Sequence, residues 1–301
     1  MTPPRSRKLV EWPTLALIAL CYGVWALSVS VMAEISLIAG IVVLALTITL
    51  HSSLQHETLH GNTLINERIS EALVWLPVGL FIPFGRFKTT HLDHHRDARL
   101  TDPYDDPESN FLDPGHWSRL STMSCAVLTF NNTLIGRMLI GPLVGQYAFM
   151  KCDMGAMKRG DWSVMRDWIV HGLGLIVLGL LLWRIGSMPV WAYLLAAYLG
   201  LSILKIRTYL EHRAHERASG RTVVIEDTGP LAFLFLNNNY HAVHHCHPAL
   251  PWYDLPDRYR ANKDEYLRRN DGYVYRSYRD VFRQHFWRGK DPVPHPLWKQ
   301  N

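Results

Sequence analysis

The chain has 301 residues, of which 48% are hydrophobic and 19% are charged. This composition excludes an intrinsically disordered chain, and four cysteines without paired spacing exclude a disulfide framework and a CxxC metal site. The net charge of +5 permits nucleic-acid binding, but a basic balance alongside long apolar runs is more typical of a membrane protein.

The first long apolar run covers residues 14 to 50, and Glu34 is its single charged residue. Each half is about 20 residues long, which is roughly the length that crosses a bilayer as a helix. The run therefore predicts two transmembrane helices, over about 14–33 and 35–54, joined by a tight turn. A cleaved signal peptide is the alternative for the first half, but its uncharged stretch is long for one.

A second pair of apolar segments, over about 167–184 and 189–206, predicts another hairpin. Between the two pairs, segment 72–84 is too short to span a membrane, and segment 125–150 is interrupted by polar residues and a proline. Both are expected to lie on the membrane as interfacial or re-entrant pieces. The predicted fold is a single all-α integral membrane domain over residues 1–301, with four transmembrane helices in two hairpins.

The basic residues predict the orientation of these spans. Of the 31 lysines and arginines, only Arg184 falls on the opposite side from the others when the four spans are drawn in. By the positive-inside rule, both termini and the segments 55–165 and 207–301 are expected to be cytoplasmic. The C-terminal segment would form a cytoplasmic cap, and a basic lipid-facing surface is preferred there over nucleic-acid binding.

Twelve of the 16 histidines fall in four short windows, all on this predicted cytoplasmic side. Their spacings are one HxxxH and two HxxHH, which place the imidazoles of each motif on one face of a helix. The three motifs contain His56 and His60, then His91, His94 and His95, then His241, His244 and His245. Eight imidazoles exceed the ligands that one metal ion can use, so two metals are predicted, and a nitrogen-rich site suits iron or another borderline divalent metal.

These motifs stand in the contexts HETLHG at 56–61, HLDHH at 91–95 and NNNYHAVHHCHPALPWYDLP at 237–256. From the first hairpin to about Pro256, the chain resembles the integral-membrane histidine-box di-iron family of desaturases, carotenoid hydroxylases and ketolases, and alkane hydroxylases. Its motifs look most like those of bacterial fatty acid desaturases. The resemblance implies two iron ions, O2 as co-substrate, a bacterial inner membrane location and oxidation of an acyl-lipid or acyl-CoA chain.

The resemblance also implies a ninth ligand at the cytoplasmic end of the last span. Residues 209–212 read YLEH, which is similar to the YxEH element of the alkane-hydroxylase branch, and His212 is the candidate. Some desaturases carry an asparagine ligand four residues earlier, where this chain has Thr208. Whether His51 or His215 also contacts metal is left open.

Carboxylates near the motifs are candidates to accept a hydrogen bond from the second nitrogen of each ligating imidazole. Glu57, Asp93, Asp97, Asp102, Asp105, Asp106 and Glu211 form this group, and Asn237 and Asn239 are candidates for the same role before the third motif.

The family chemistry needs electrons from a partner. The chain has no glycine-rich dinucleotide fingerprint, and HPAL at 247–250 is not the HPGG signature of a fused cytochrome b5 domain. A separate ferredoxin, rubredoxin or cytochrome b5 is therefore expected to dock on the basic cytoplasmic face. Hydroxylation or ketolation of a lipid, carotenoid or alkane uses the same ligands and the same oxidant as desaturation. Only motif resemblance separates these reactions, and it favours desaturation.

Two further readings come from other classes. His56 to His60 is a literal HExxH motif, in which Glu57 would be the general base of a membrane zinc protease, but this leaves five or six motif histidines unexplained. A metal transporter would need ionisable ligands along the spans, which contain essentially His171 and no acid pair. Metal stoichiometry separates the three classes.

Overall fold

The computed structural model describes residues 10–64 and 66–298, and helices dominate this part of the chain. Four helical stretches are long and apolar enough to cross a membrane: Trp12–Ile35, Leu37–Leu59, Trp162–Ile185 and Val190–Thr208. They coincide with the four predicted spans. The second extends past residue 54 without a break, so the first histidine motif begins inside the same helix.

The first spanning stretch is not a uniform α-helix. Helix α1 (Trp12–Leu27) passes through a π-helical turn (Ser28–Met32) into the short helix α2 (Ala33–Ile35). Within this turn, the carbonyl oxygen of Val29 accepts hydrogen bonds from the backbone N–H groups of Ser187 at 2.8 Å and Met188 at 3.1 Å. The widened turn therefore joins the first pair of spans to the link between the second pair.

Helix α3 (Leu37–Leu59) begins at Ser36, whose side chain accepts a hydrogen bond from the backbone N–H of Ala39. It lies at the centre of the bundle, against α1 and against α11 (Val190–Thr208). A Cβ atom on Gly200 of α11 would lie 2.9 Å from Ile48 of α3, so this glycine allows the two backbones to approach closely. Gly172 and Gly179 of α10 (Trp162–Ile185) have open space instead.

Between α3 and α10 the described residues form six shorter α-helices. These are α4 (Glu67–Leu73), α5 (Phe84–His94), α6 (Pro114–Trp117), α7 (Thr122–Asn131), α8 (Leu134–Leu139) and α9 (Gly141–Lys158). The last three expose large apolar side chains, among them Met123, Phe130, Leu143 and Tyr147. Such a surface outside the spans is what helices lying on a membrane present.

The C-terminal segment forms a second compact layer over the ends of α3 and α11. It contains α12 (Pro230–Leu234), α13 (His241–Cys246), α14 (Leu255–Ala261), α15 (Lys263–Arg269) and α16 (Tyr278–His285). Two short parallel strands, β1 (Val224–Ile225) and β2 (Val274–Tyr275), pair within it, with Val224 opposite Val274. Buried Leu210, Phe235 and Val281 connect this layer to α8 and α11 in one hydrophobic core.

Candidate metal centre

Three helix ends and one loop carry the nine histidines predicted as ligands. His56 lies in the last turn of α3 and His60 caps its C-terminus, while α5 ends with the second motif and α13 begins with the third. His212 follows α11 in an extended segment, where it pairs with Thr222 in a β-bridge. Helix ends meet here because α3 and α11 terminate beneath the C-terminal layer.

All nine histidines converge into two groups. Within each group, one nitrogen atom of every histidine lies within 4.8 Å of those of the others. We call them cluster one and cluster two. Cluster one contains His56, His60, His91, His95 and His244, and cluster two contains His94, His212, His241 and His245. The clusters adjoin, since the rings of His95 and His245 stack with their centroids 4.3 Å apart.

The division between clusters follows helix geometry. In the second motif, His91 and His95 are four residues apart and enter cluster one, while His94 enters cluster two. A separation of four residues rotates a side chain by only about 40° around the helix, whereas three residues rotate it by about 60° in the opposite sense. Each HxxHH motif therefore supplies both clusters, which is a finer arrangement than the single shared face expected from spacing.

The nitrogen positions fit a metal centre. The Nε2 atoms of His94 and His212 are 2.8 Å apart, and those of His212 and His241 are 3.0 Å apart. Two nitrogens bound to one ion at about 2.1 Å and at right angles lie about 3.0 Å from each other. In cluster one, the buried Nε2 atoms of His56 and His60 have no hydrogen-bond partner among the described residues. These donors are therefore arranged as metal ligands would be.

A family model described as fatty acid desaturase matches residues 34–277, which include all nine histidines. The chain belongs to the fatty acid desaturase family. This is a family of membrane di-iron enzymes, so the chain is an oxidoreductase of the desaturase and hydroxylase class whose histidine clusters can hold metal. The chain is also similar to a β-carotene ketolase from Paracoccus sp. (strain PC1), with 26% identity over 211 residues, or 67% of this chain and 70% of the ketolase.

Carboxylates orient two of the predicted ligands in these clusters. The Nδ1 atom of His91 lies 2.9 Å from Glu108 Oε1, and that of His94 lies 2.8 Å from Asp106 Oδ1. An imidazole that donates its Nδ1 proton to a carboxylate presents the Nε2 lone pair to a metal. Asp106 was among the predicted candidates, whereas Glu108, two residues further along the same acidic run, was missed.

Glu211 acts on the third motif through an amide. Its Oε1 accepts a hydrogen bond from Asn238 Nδ2 at 2.9 Å and lies 3.2 Å from Arg207 Nε, and Asn238 Oδ1 lies 3.3 Å from His241 Nδ1. The predicted neighbours Asn237 and Asn239 bond backbone carbonyls instead. The middle residue of the NNN run is thus the one that reaches the site, because only its side chain points toward His241.

The remaining predicted carboxylates have other roles. Asp93 pairs with Arg96 at 2.9 Å on the surface, Asp102 accepts backbone N–H groups within its own turn, and Asp105 is exposed. The side chain of Asp97 is outside the described part of the structure. Asp93, Asp102 and Asp105 belong to neither cluster, because their side chains are not buried against the histidines.

Glu57 is buried and belongs to neither cluster. Its Oε1 accepts a hydrogen bond from the backbone N–H of Trp252 at 2.9 Å. The carboxylate therefore connects α3 to the loop after the third motif. This contact gives Glu57 a packing role, and both histidines of the HExxH motif lie in a cluster of five, which disfavours the protease reading.

The clusters favour neutral imidazole. Burial, followed by the proximity of other imidazoles, holds the pKa values of His95, His212, His241 and His244 well below the usual range. At His94, burial acts in the same direction, but Glu108 and Asp106 outweigh it and raise the pKa to about 9. Neutral imidazole is the form that binds a metal, so the lowered pKa values favour ligation by these four histidines, whereas metal binding at His94 would displace a proton.

Histidines outside the motifs have separate partners. His51 Nε2 lies 3.1 Å from the Tyr22 hydroxyl, and His215 lies 3.4 Å from Asp271 on the surface. His171 bonds the carbonyl oxygen of Leu80 at 2.8 Å. Among the described residues, neither His51 nor His215 belongs to either cluster.

Proposed function

We propose that the chain is an oxygen-dependent di-iron desaturase that introduces a double bond into an acyl chain dissolved in the membrane. The observation that carries this proposal is the convergence of nine imidazoles into two adjoining clusters at the ends of apolar helices. Cluster one and cluster two would each hold one iron. Family membership supports the reaction class, and the preference for acyl chains follows the family model.

The reaction is a four-electron reduction of oxygen. One O2, two hydrogen atoms from adjacent carbons, two electrons from a reduced partner and two protons give one double bond and two molecules of water. When bound, the two irons supply activation of O2 and removal of hydrogen from an unactivated C–H bond. The protein supplies the fixed imidazoles, the substrate position and the exclusion of water.

The chain's own residues suggest where the substrate lies. A small cavity of about 50 Å³ lies between α3, α11 and the segment 77–82, and its lining includes Ser52 and Gln55 of α3 and Gly200 and Leu204 of α11. Gln55 immediately precedes His56 of cluster one, and both helices are spanning stretches. An acyl chain entering between these helices would reach the clusters from the bilayer, after the side chains lining the cavity move apart.

Orientation follows the same proposal. With the clusters and the C-terminal layer on the basic side, the metal centre and both termini would face the cytoplasm of a bacterial inner membrane. Electrons would come from a separate ferredoxin, rubredoxin or cytochrome b5. The distribution of lysine and arginine supports this arrangement, because only Arg184 lies beyond the other ends of the spans.

Ketolation or hydroxylation is a second candidate, favoured by the similarity to the β-carotene ketolase. Hydroxylation consumes the same O2, two electrons and two protons but releases one water and leaves one oxygen on carbon. Repeating it at the same carbon, with loss of water, gives a ketone. The same clusters would serve both outcomes, and the placement of the substrate C–H bond would decide between them.

The test begins with metal content of detergent-purified protein from iron-replete cells. About two irons per chain supports the proposal, and zinc near one per chain that iron cannot replace contradicts it. Expressing cells are then analysed for new double bonds in fatty acid methyl esters, and a host that makes β-carotene is analysed for ketocarotenoids. New unsaturated acyl chains that disappear in the His244→Ala variant support desaturation, whereas new ketocarotenoids with unchanged acyl chains transfer the assignment to the second candidate.

A further inference from the structure

An open basin lies on the C-terminal layer beside the chain segment that carries His212. It has a volume of about 520 Å³ and is lined by Arg213, Tyr273, Tyr275, Arg276, Asp280 and Gln284. Arg213 forms its floor and is held rigidly: its guanidinium lies 4.6 Å from the Tyr273 ring centroid and donates to the carbonyl oxygens of Gly220 and Asn270. The floor of the basin is therefore the residue next to a proposed ligand of cluster two.

The chain around the basin is strongly basic, and we call its four arginines the rim: Arg276 lines the basin, Arg279 and Arg283 directly precede the lining residues Asp280 and Gln284, and Arg288 follows α16. Arg276, Arg279, Arg283 and Arg288 are all exposed, and the last three form no ion pair with any described residue. Arg279 and Arg283 are four residues apart on α16, a spacing at which like charges repel and destabilise a helix. Asp280, the acidic residue of the basin, lies in the first turn of α16, where it complements the helix dipole.

Two contacts connect this rim to the metal centre. The ammonium of Lys290, two residues after the rim residue Arg288, donates to the backbone carbonyl oxygen of His212. The hydroxyl of Tyr209 donates to the backbone carbonyl of Arg288 at 3.2 Å, and Tyr209 lies three residues before His212. The basin is therefore linked to His212 of cluster two by the peptide bond from Arg213, and the rim is linked to the same segment by these two hydrogen bonds.

We propose that this basin and its four rim arginines form the docking surface for an acidic electron-transfer protein that reduces the metal centre through the His212 segment. The inference rests on the proposed function, since only an oxidase of this class needs the electrons. Each docked partner would give up one electron and be oxidised by one unit, so two docking events supply the two electrons of one turnover. Charge complementarity selects an acidic partner.

A protein partner fits this surface better than a membrane. Among the described residues from 207 to 298, the large apolar side chains that are exposed are Phe233, Trp287 and Leu297. Insertion into a bilayer needs a continuous apolar face, which α7 and α9 present and α16 does not. A single exposed tryptophan among arginines is instead typical of the centre of a protein interface.

The test uses the full chain, loaded with iron and embedded in bilayers of zwitterionic lipid. An acidic ferredoxin, a rubredoxin and cytochrome b5 are titrated against it, and the tightest binder is carried forward. The variant Arg279→Glu with Arg283→Glu reverses two charges on the rim, and the control Arg119→Glu with Lys158→Glu makes the same change at exposed basic residues elsewhere. At about 0.01 M ionic strength, the rim variant is expected to raise the Kd of the donor by at least about tenfold.

The control is expected to keep its Kd within about twofold, and the difference should vanish near 1 M salt, where charges are screened beyond about 3 Å. Donor-driven reduction of the metal should slow in the rim variant, while reduction by dithionite, which needs no docking, should not. An unchanged Kd in the rim variant, or an equal rise in the control, overturns the proposal. Loss of binding to phosphatidylserine vesicles with donor binding intact overturns it in favour of a membrane surface.

Binding is measured without turnover, so the two proposals fail separately. A wild-type protein that binds the donor through these arginines but oxidises no acyl chain or carotenoid supports the docking surface and contradicts the proposed reactions. If the wild-type protein oxidises its substrate and the rim variant binds the donor equally well, the proposed reaction is supported and the docking surface is contradicted.

Discussion

Replacement of Asp106 by asparagine should weaken cluster two without dismantling the fold. Both carboxylate oxygens of Asp106 are in use: Oδ1 faces His94 Nδ1 at 2.8 Å and the backbone N–H of Glu108 at 2.9 Å, and Oδ2 accepts the backbone N–H of Thr101 at 2.8 Å. An asparagine keeps one acceptor and turns the other into a donor. In either rotamer its NH2 group faces an N–H group, so at least one of these bonds is lost.

The expected magnitude follows from these contacts. A hydrogen bond to a charged group contributes about 1.5–3 kcal/mol, and removing the carboxylate partner of a ligating imidazole lowers metal affinity by about 10–100-fold. At about 1.4 kcal/mol per factor of ten, the second figure is about 1.4–2.8 kcal/mol, so the two agree. The Asp106→Asn protein should therefore bind its cluster-two metal about 10–100-fold more weakly.

The assay is equilibrium competition with an iron chelator, followed by measurement of the iron that remains per chain. Asp105→Asn is a matched control, because Asp105 is the adjacent residue and is exposed. The wild type and the control should lose their two irons at similar chelator concentrations, whereas Asp106→Asn should release one iron much earlier. Identical competition curves for all three proteins would refute the role assigned to the carboxylate.

Other predictions follow from single contacts. His94→Ala and His244→Ala remove one ligand from different clusters, so each should lower iron from about two to about one per chain and abolish oxidation; full iron in either contradicts the ligand assignment. Glu57→Gln should keep its metal and most of its oxidative activity, because an amide oxygen can still accept the backbone N–H, and loss of all activity with the metal retained would point to a catalytic base. Gly200→Val should lower stability by about 1–3 kcal/mol through overpacking, while Gly179→Val, with open space around it, should leave the midpoint of thermal unfolding nearly unchanged; equal midpoints for the two variants would show that the close approach at Gly200 is unimportant.

Much of the fold could be predicted from sequence because the spans are simple. A run of about 20 apolar residues has one stable conformation in lipid, and the four spans were located to within a few residues. The π-helical turn at Ser28–Met32 was not predicted, because its cause lies outside its own sequence. It depends on the backbone of Ser187 and Met188, which bond Val29 from the other pair of spans.

The candidate site shows the same limit at the level of single residues. Motif spacing identified eight of the nine histidines that the structure brings together, and the family resemblance added His212, but neither showed that His94 would join a different cluster from His91. Rotation around α5 separates His94 from His91 and His95, but which cluster each side enters depends on the chain segments that face it. Glu108 was missed for a similar reason, since only the path of the loop after α5 distinguishes it from exposed Asp105.

Because the histidines of each cluster come from distant parts of the chain, metal binding would affect the stability of the protein in a cell. Metal bound in cluster two would tie His94 to His212, 118 positions away, and His212 to His241, 29 positions further on. Such ties act as cross-links that close long loops, and their free energy adds to that of folding. A cell starved of iron would therefore hold a looser C-terminal layer, exposed to proteases, and the abundance of the enzyme would follow the supply of its metal.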